Sequence, residues 1–138
     1  MSVRRGDQGG GDLKVLNASR NLIKYTYDRC VDEKIFPKKT RWLLSKNIWD
    51  NAIGAHTCIT KANGIRVETK TDAERRLTYE KDALGHLETM SSLIDICQCI
   101  GLVSDDRMVF WMSLISETVK PLKGWLKSDR QRYKEFTD

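Results

Sequence analysis

Three observations predict an all-α fold, an antiparallel up-down-up-down four-helix bundle. Apolar residues recur at spacings of three and four in four separate stretches, only two prolines interrupt the 138 residues, and the connections between stretches are short. The length allows one domain with one core. That domain is expected over residues 13–136. Residues 1–12, with Gly6 and Gly9 to Gly11 among polar neighbours, are expected to form a flexible tail.

The first helix is expected to start behind an Asp12 N-cap at Leu13. It carries Leu16, Ile23, Tyr27 and Cys30 on one stripe, with Val15 and Leu22 beside it, and runs to about Glu33, where Ile35-Phe36-Pro37 ends it. Pro37 suits the first turn of a second helix because its missing N–H has no intrahelical partner there, and Phe36 can staple the entry. Leu44, Ile48, Ala52, Ala55, Ile59 and Ala62 then form a stripe whose small residues admit a close neighbour, and Asn63-Gly64 stops it.

Thr71-Asp72-Ala73-Glu74 is expected to be a capping box opening the third helix. Leu77, Leu84, Leu87, Met90, Ile94 and Cys97 carry its stripe to a C-terminal glycine at Gly101. Ser104 should cap the fourth helix, with Asp105 and Asp106 at the positive end of its dipole. Met108, Met112, Ile115, Val119, Leu122 and Leu126 follow at heptad spacing. The stripe persists across Pro121, so the proline should kink the helix without ending it.

Several function classes have no support in the sequence. No run approaches the roughly eighteen apolar residues of a spanning helix, and Met1-Ser2-Val3-Arg4-Arg5-Gly6 lacks a signal-type apolar stretch, so a cytoplasmic protein without membrane contact is expected. Cys30, Cys58, Cys97 and Cys99 fall inside helical patterns and are read as reduced. Cys97 and Cys99 lie about 200° apart around a helix and cannot both face one ion. His56 and His86 stand on separate helices without a Cys or His neighbour at i+3 or i+4. Glu74, Glu80, Asp82 and Glu88, mixed with Arg75, Arg76 and Lys81, read as a solvated, salt-bridged face. There is no Glu-x-x-His di-iron motif and no phosphate loop followed by Lys-Ser or Lys-Thr. No metal, no cofactor and no enzyme activity are expected.

Positive charge arranged on helices is what remains. The formal charge is +5 and the pI near 9.1, which favours polyanionic partners. Lys34, Lys38, Lys39, Arg41 and Lys46 surround the corner between the first two helices. Lys120, Lys123, Lys127, Arg130, Arg132 and Lys134 form a second cluster whose one opposing charge is Asp129. Both clusters offer cations at phosphate spacing, and the arginines can bind phosphate with two prongs. Trp42, Trp49, Phe110, Trp111 and Trp125 fall at or beyond the stripe edges and are expected at an interface, Trp42, Trp49, Trp111 and Trp125 being the candidate oligomer anchors; for Trp125 packing in the bundle is also open.

Phe36-Pro37-Lys38 with Arg41, Ala62-Asn63, and Leu122-x-x-Trp125-x-Lys127-Ser128-Asp129-Arg130-x-Arg132, in that order across Leu13 to Arg132, give the chain a family resemblance. It resembles the bacterial four-helix-bundle proteins that include the accessory variability proteins of diversity-generating retroelements. Bundle proteins encoded in intervening sequences of ribosomal RNA genes belong to the same group. The resemblance implies a homopentameric ring of bundles without catalytic residues, binding a reverse transcriptase and its template RNA or complementary DNA. Lys38, Lys39, Arg41, Lys46, Lys120, Lys123, Lys127, Arg130 and Arg132 then become candidate contacts for nucleic acid or polymerase. The glycine-rich tail, Pro121 and the Cys97-x-Cys99 pair depart from the family pattern.

Overall fold

Each of the four sequence stripes folds as a long helix. The structure, a computed structural model, describes the backbone of residues 4–137 and the side chains of residues 13–136. Helix α1 spans Arg4–Cys30, α2 Lys46–Gly64, α3 Lys70–Cys99 and α4 Asp105–Arg132, and a single turn, α5, spans Lys134–Thr137. No strand occurs among the described residues. Helices α1 and α3 each pack against both α2 and α4, so the four surround a common core of a helical bundle. Among the described residues no helix is long and apolar enough to cross a membrane.

The core is built from residues alternating at four and three. Ile48, Ala52, Ala55, Ile59 and Ala62 are buried on α2, and Ala83, Leu87, Met90, Ile94 and Cys97 on α3. The alanines of α2 leave room for α3 to lie close. Full burial of a side chain such as Leu87 or Ile94 contributes roughly 1.5–3 kcal/mol. On α4 the buried seam is Trp111, Ile115, Thr118, Leu122, Trp125 and Asp129, while Met108, Met112 and Val119 are half-buried. The seam is rotated towards the tryptophans from where Met108 and Met112 place it, because the indoles are the larger apolar bodies and claim the interior.

The helix ends correct several expectations. The backbone is helical from Arg4, well before Asp12, so the part of the expected tail beyond Val3 belongs to α1; no proline stops the run backward, and glycine weakens a helix without forbidding it. Residues 1–3 lie outside the described residues. Helix α1 stops at Cys30, ahead of Glu33, because Asp32 turns the chain: its carboxylate accepts from Lys34 N–H at 2.9 Å and its carbonyl from the N–H groups of Ile35 and Phe36. That turn delivers Ile35 and Phe36 into the core.

Pro37 precedes a 3-10 turn, Lys38–Thr40, instead of opening α2 directly; Thr40 returns both its N–H and its hydroxyl to the Pro37 carbonyl, each at 2.8 Å. A π-type turn over Arg41–Ser45 follows, in which Lys46 N–H reaches back to Arg41 O. The capping box of α3 uses Thr69 and Asp72, two residues earlier than expected. Thr69 is extended and accepts from Asp72 N–H at 3.2 Å, while the Asp72 carboxylate accepts from the N–H groups of Glu68 and Thr69. Those bonds, Glu68's first, hold the Asp72 carboxyl below its ordinary value. At the other end of α3, Gly101 takes φ +85°, and the N–H groups of Gly101 and Leu102 return to Gln98 O and Cys97 O, a Schellman closure that favours glycine. Ser104 caps α4 by accepting from Arg107 N–H, and α4 is continuous across Pro121.

Candidate functional site

Asp129, the one acid in the second basic cluster, is withdrawn from the surface. Its side chain is wholly buried and accepts a 2.8 Å hydrogen bond from Arg76 Nε of α3, itself only 2% exposed. Arg76 also donates from Nη1 to Ile65 O at 3.2 Å, in the connection between α2 and α3, and lies 3.5 Å from Glu80. Its guanidinium carbon stands 5.2 Å from the Trp125 ring centre and 5.8 Å from that of Tyr133. Burial pulls the Arg76 pKa down, but the charge and hydrogen bond of Asp129, with Tyr133 and Glu80 behind them, more than reverse this and leave it raised. Arg76 and Glu80 are therefore core residues and not part of a solvated face.

With Asp129 turned inward, the outer side of α4 is left to cations. Lys120, Lys123, Lys127 and Arg130, all exposed, fall within an arc of about 80° and along about 15 Å of the helix, while Asp129 lies on the opposite side of the axis from Lys120. Among the described residues none of these four has a carboxylate within ion-pair distance. Arg132 differs: it lies 3.8 Å from Asp129 and 5.8 Å from the Tyr133 ring, drawn back towards the buried pair. The stripe leaves four cations in solvent without an ion-pair partner among the described residues.

The first cluster has a different composition. Lys38, Lys39 and Arg41 are exposed beside Trp42 and Leu43, which are 74% and 71% exposed. Lys46 is committed to Asp50 at 2.7 Å and lies 6.0 Å from the Trp42 ring centre. Trp49 is half-buried against Tyr27 of α1, ring centres 5.9 Å apart. The two clusters do not meet. Lys46 opens α2, whereas the Arg76–Asp129 pair sits against Ile65 just beyond its end, so the length of α2, about 28 Å, lies between the first cluster and the Asp129 end of the second.

Two of the tryptophans expected at an oligomer interface are interior instead. Trp111 has no exposed surface; its indole N–H donates to Thr26 Oγ1 of α1 at 3.0 Å, and its ring lies edge-on to Tyr25. Trp125 is 5% exposed and backs the Arg76 guanidinium. The interior place of Trp111 is hidden from an apolar stripe because the seam of α4 contains polar members, while Trp125 takes the packed place left open for it. Of the four, Trp42 and Trp49 remain at the surface.

The two histidines tie neighbouring helices together. Ser19 Oγ donates to Leu16 O at 3.0 Å, so in its 2.7 Å contact with His56 it accepts from Nδ1–H, and the pair joins α1 to α2 with the serine proton already used. Burial, with Arg20 behind it, lowers the His56 pKa. Asn51 donates to Asn47 O, which leaves its Oδ1 to accept from His86 Nδ1–H at 2.9 Å and joins α2 to α3. The His86 ring lies over Gly54, where a Cβ would meet it at 2.8 Å. Burial pushes the Cys30 thiol up to about 12, with Cys97 adding to it, and the Cys97 thiol up to about 11, so neither is a ready nucleophile. Cys97 is buried and Cys99 exposed, on different sides of α3. Among the described residues no three His, Cys, Asp or Glu side chains converge as metal ligands.

No protein-family model, no curated protein and no solved structure matches the chain.

Proposed function

We propose that this chain is a non-catalytic accessory protein of a diversity-generating retroelement, binding reverse transcriptase and template RNA or complementary DNA through its basic surfaces and supporting mutagenic reverse transcription in the cytoplasm. In this reading the bundle is antiparallel, up-down-up-down, and assembles into a homopentameric ring. The family resemblance supplies the retroelement, the polymerase and the pentamer. The observation that carries nucleic-acid binding is the acid-free stripe Lys120, Lys123, Lys127 and Arg130 on α4, cleared by the burial of Asp129 against Arg76.

Single-stranded RNA binding measured across a salt series tests this. Each phosphate contact contributes about 0.7 to the slope of log affinity on log salt. Replacing all four stripe residues with alanine is expected to lower that slope by about 2 to 3 while leaving helicity intact, since the side chains are exposed. Affinity that barely responds to salt, or a slope unchanged in the variant, defeats the proposal. Light scattering reads the subunit number, and a reverse-transcriptase gene beside this one, as against a position inside a ribosomal RNA gene, separates the two branches of the family.

A second reading, a helical adaptor working through protein contacts, is favoured by the exposed Trp42 and Leu43. Protein capture without RNA capture at low salt would select it.

A further inference from the structure

The outward side of α2 and the turn that leads into it carry an apolar strip that the chain leaves open to solvent. Trp49 and Ile53 stand one turn apart on α2, and Trp42 lies in the π-type turn that leads into it. Trp42 is 74% exposed, Ile53 is 37% exposed, and Leu43 adds a second large apolar side chain beside Trp42. Tyr27 of α1 borders the strip through its contact with Trp49 and is itself largely exposed. The buried seam of α2, Ile48 to Ala62, already faces the core, so this is a second, separate apolar side of the same helix. Large apolar side chains left in solvent close together are the raw material of an interaction surface.

We propose that the α1–α2 corner docks an amphipathic helix of a protein partner, a helix with an apolar stripe and carboxylates at the end that meets Lys38, Lys39 and Arg41. Three features select this occupant. From Trp42 in the π-type turn to Ile53 on α2 the strip covers about three turns of chain, a length that a short helix laid beside it can match. Lys38, Lys39 and Arg41 lie at its Trp42 end without a carboxylate in ion-pair range among the described residues, while Lys46, within the strip, is neutralised by Asp50. Charge is thus concentrated at one end and cancelled in the middle, as complementarity to an acidic-ended apolar helix requires. A nucleic-acid strand fits worse: a base stacks on Trp42, but Leu43 and Ile53 offer it no stacking face, and the backbone finds cations at one end only. The proposal stands independently of the α4 stripe, which lies on a different helix.

The probe is a fluorescein-labelled peptide of about sixteen residues, long enough to cover the strip, with leucine at heptad spacing and glutamate at its acidic end; its sequence-scrambled counterpart is the control. Anisotropy titrations use the full chain. Saturable binding is expected, weakened about tenfold or more by scrambling and by the double substitution Trp42→Ala, Leu43→Ala, whose exposed positions leave helicity unchanged. Lys38→Glu with Lys39→Glu should weaken binding and reduce its salt dependence, and alanine at Lys123 and Lys127 should leave it as it was. Absence of saturable binding, or equal binding of the scrambled peptide, overturns the proposal. So does a loss of oligouridine binding in the Trp42, Leu43 variant as large as in the α4 variants, which makes the corner a nucleic-acid surface. A fall in mass of that variant in light scattering also overturns it, because the strip is then covered by a second copy of the chain.

Discussion

The two ends of the bundle use charge and aromatic rings in opposite ways. Where α3 begins and α4 finishes, an arginine and an aspartate are buried together against Trp125, and the surface outside them is left to lysines and Arg130. Where α1 finishes and α2 begins, the buried polar contact between Trp111 and Thr26 is neutral, and the cations stand in solvent beside exposed Trp42 and Leu43. Burying an ion pair does little for net stability. What it does here is remove the one acid that would have neutralised a cationic stripe, while fixing the turn of α4 that carries it. The corner needs no such pair, because its positive charge works alongside apolar surface.

The contrast breaks first, and with the largest effect, at Asp129. Replacing it with alanine strands Arg76 as a buried charge whose main partner is gone, which is expected to cost about 3–5 kcal/mol in urea denaturation. A loss below about 1 kcal/mol, the range of an exposed pair, would mean that Arg76 reaches water and that the two ends do not differ in kind. At the neutral end, Thr26→Val keeps the shape but takes away the acceptor for the Trp111 indole N–H. The same measurement should show a smaller loss, about 1–3 kcal/mol, since a buried neutral donor is left without a partner. An effect as large as that at Asp129 would erase the distinction.

How much of this was legible in the sequence depends on whether polar residues were allowed into the seams. Ser104, Gly101 and Asn63-Gly64 marked helix ends correctly, because capping and positive-φ requirements are local. The α3 seam runs Arg76, Glu80, Ala83, Leu87, Met90, Ile94, Cys97 at unbroken spacings of four and three, and α4 continues Leu122, Trp125, Asp129 in the same way. Heptad position alone puts Arg76, Glu80 and Asp129 inside. Reading charge as solvent-facing hides all three, and with them the interior place of Trp111. Other features had no sequence signal of that kind. The π-type turn at Arg41–Ser45 has no marker in its residue types, and the separation of the two basic clusters depends on which helix ends meet.

Between the ends, α2 is tied to its neighbours by two histidines. Gly54→Ala places a methyl where the His86 ring lies; displacing the ring costs about 1–3 kcal/mol, against about 1 kcal/mol that alanine gains over glycine inside a helix, so a small net loss is expected. A variant about 1 kcal/mol more stable than the parent would show that this contact does not hold α2 and α3 close.

The smallest expected effect is a pH dependence that belongs to neither end. Burial, together with Arg20, sets the His56 pKa in the folded chain below its ordinary value of 6.5. Above that value the imidazole is neutral in both states, Nδ1–H stays on Ser19, and the contact contributes fully. As pH falls through 6.5 the unfolded chain takes up the proton first, so stability declines until the folded-state value is passed and then levels. Urea denaturation between about pH 7.5 and about pH 5 should therefore show a shallow loss in the parent that His56→Gln flattens. Equal slopes in the two proteins would show that the ring takes up its proton as freely in the folded chain as in the unfolded one, and the Ser19 contact would then be a surface contact like the exposed pair of Lys46 and Asp50.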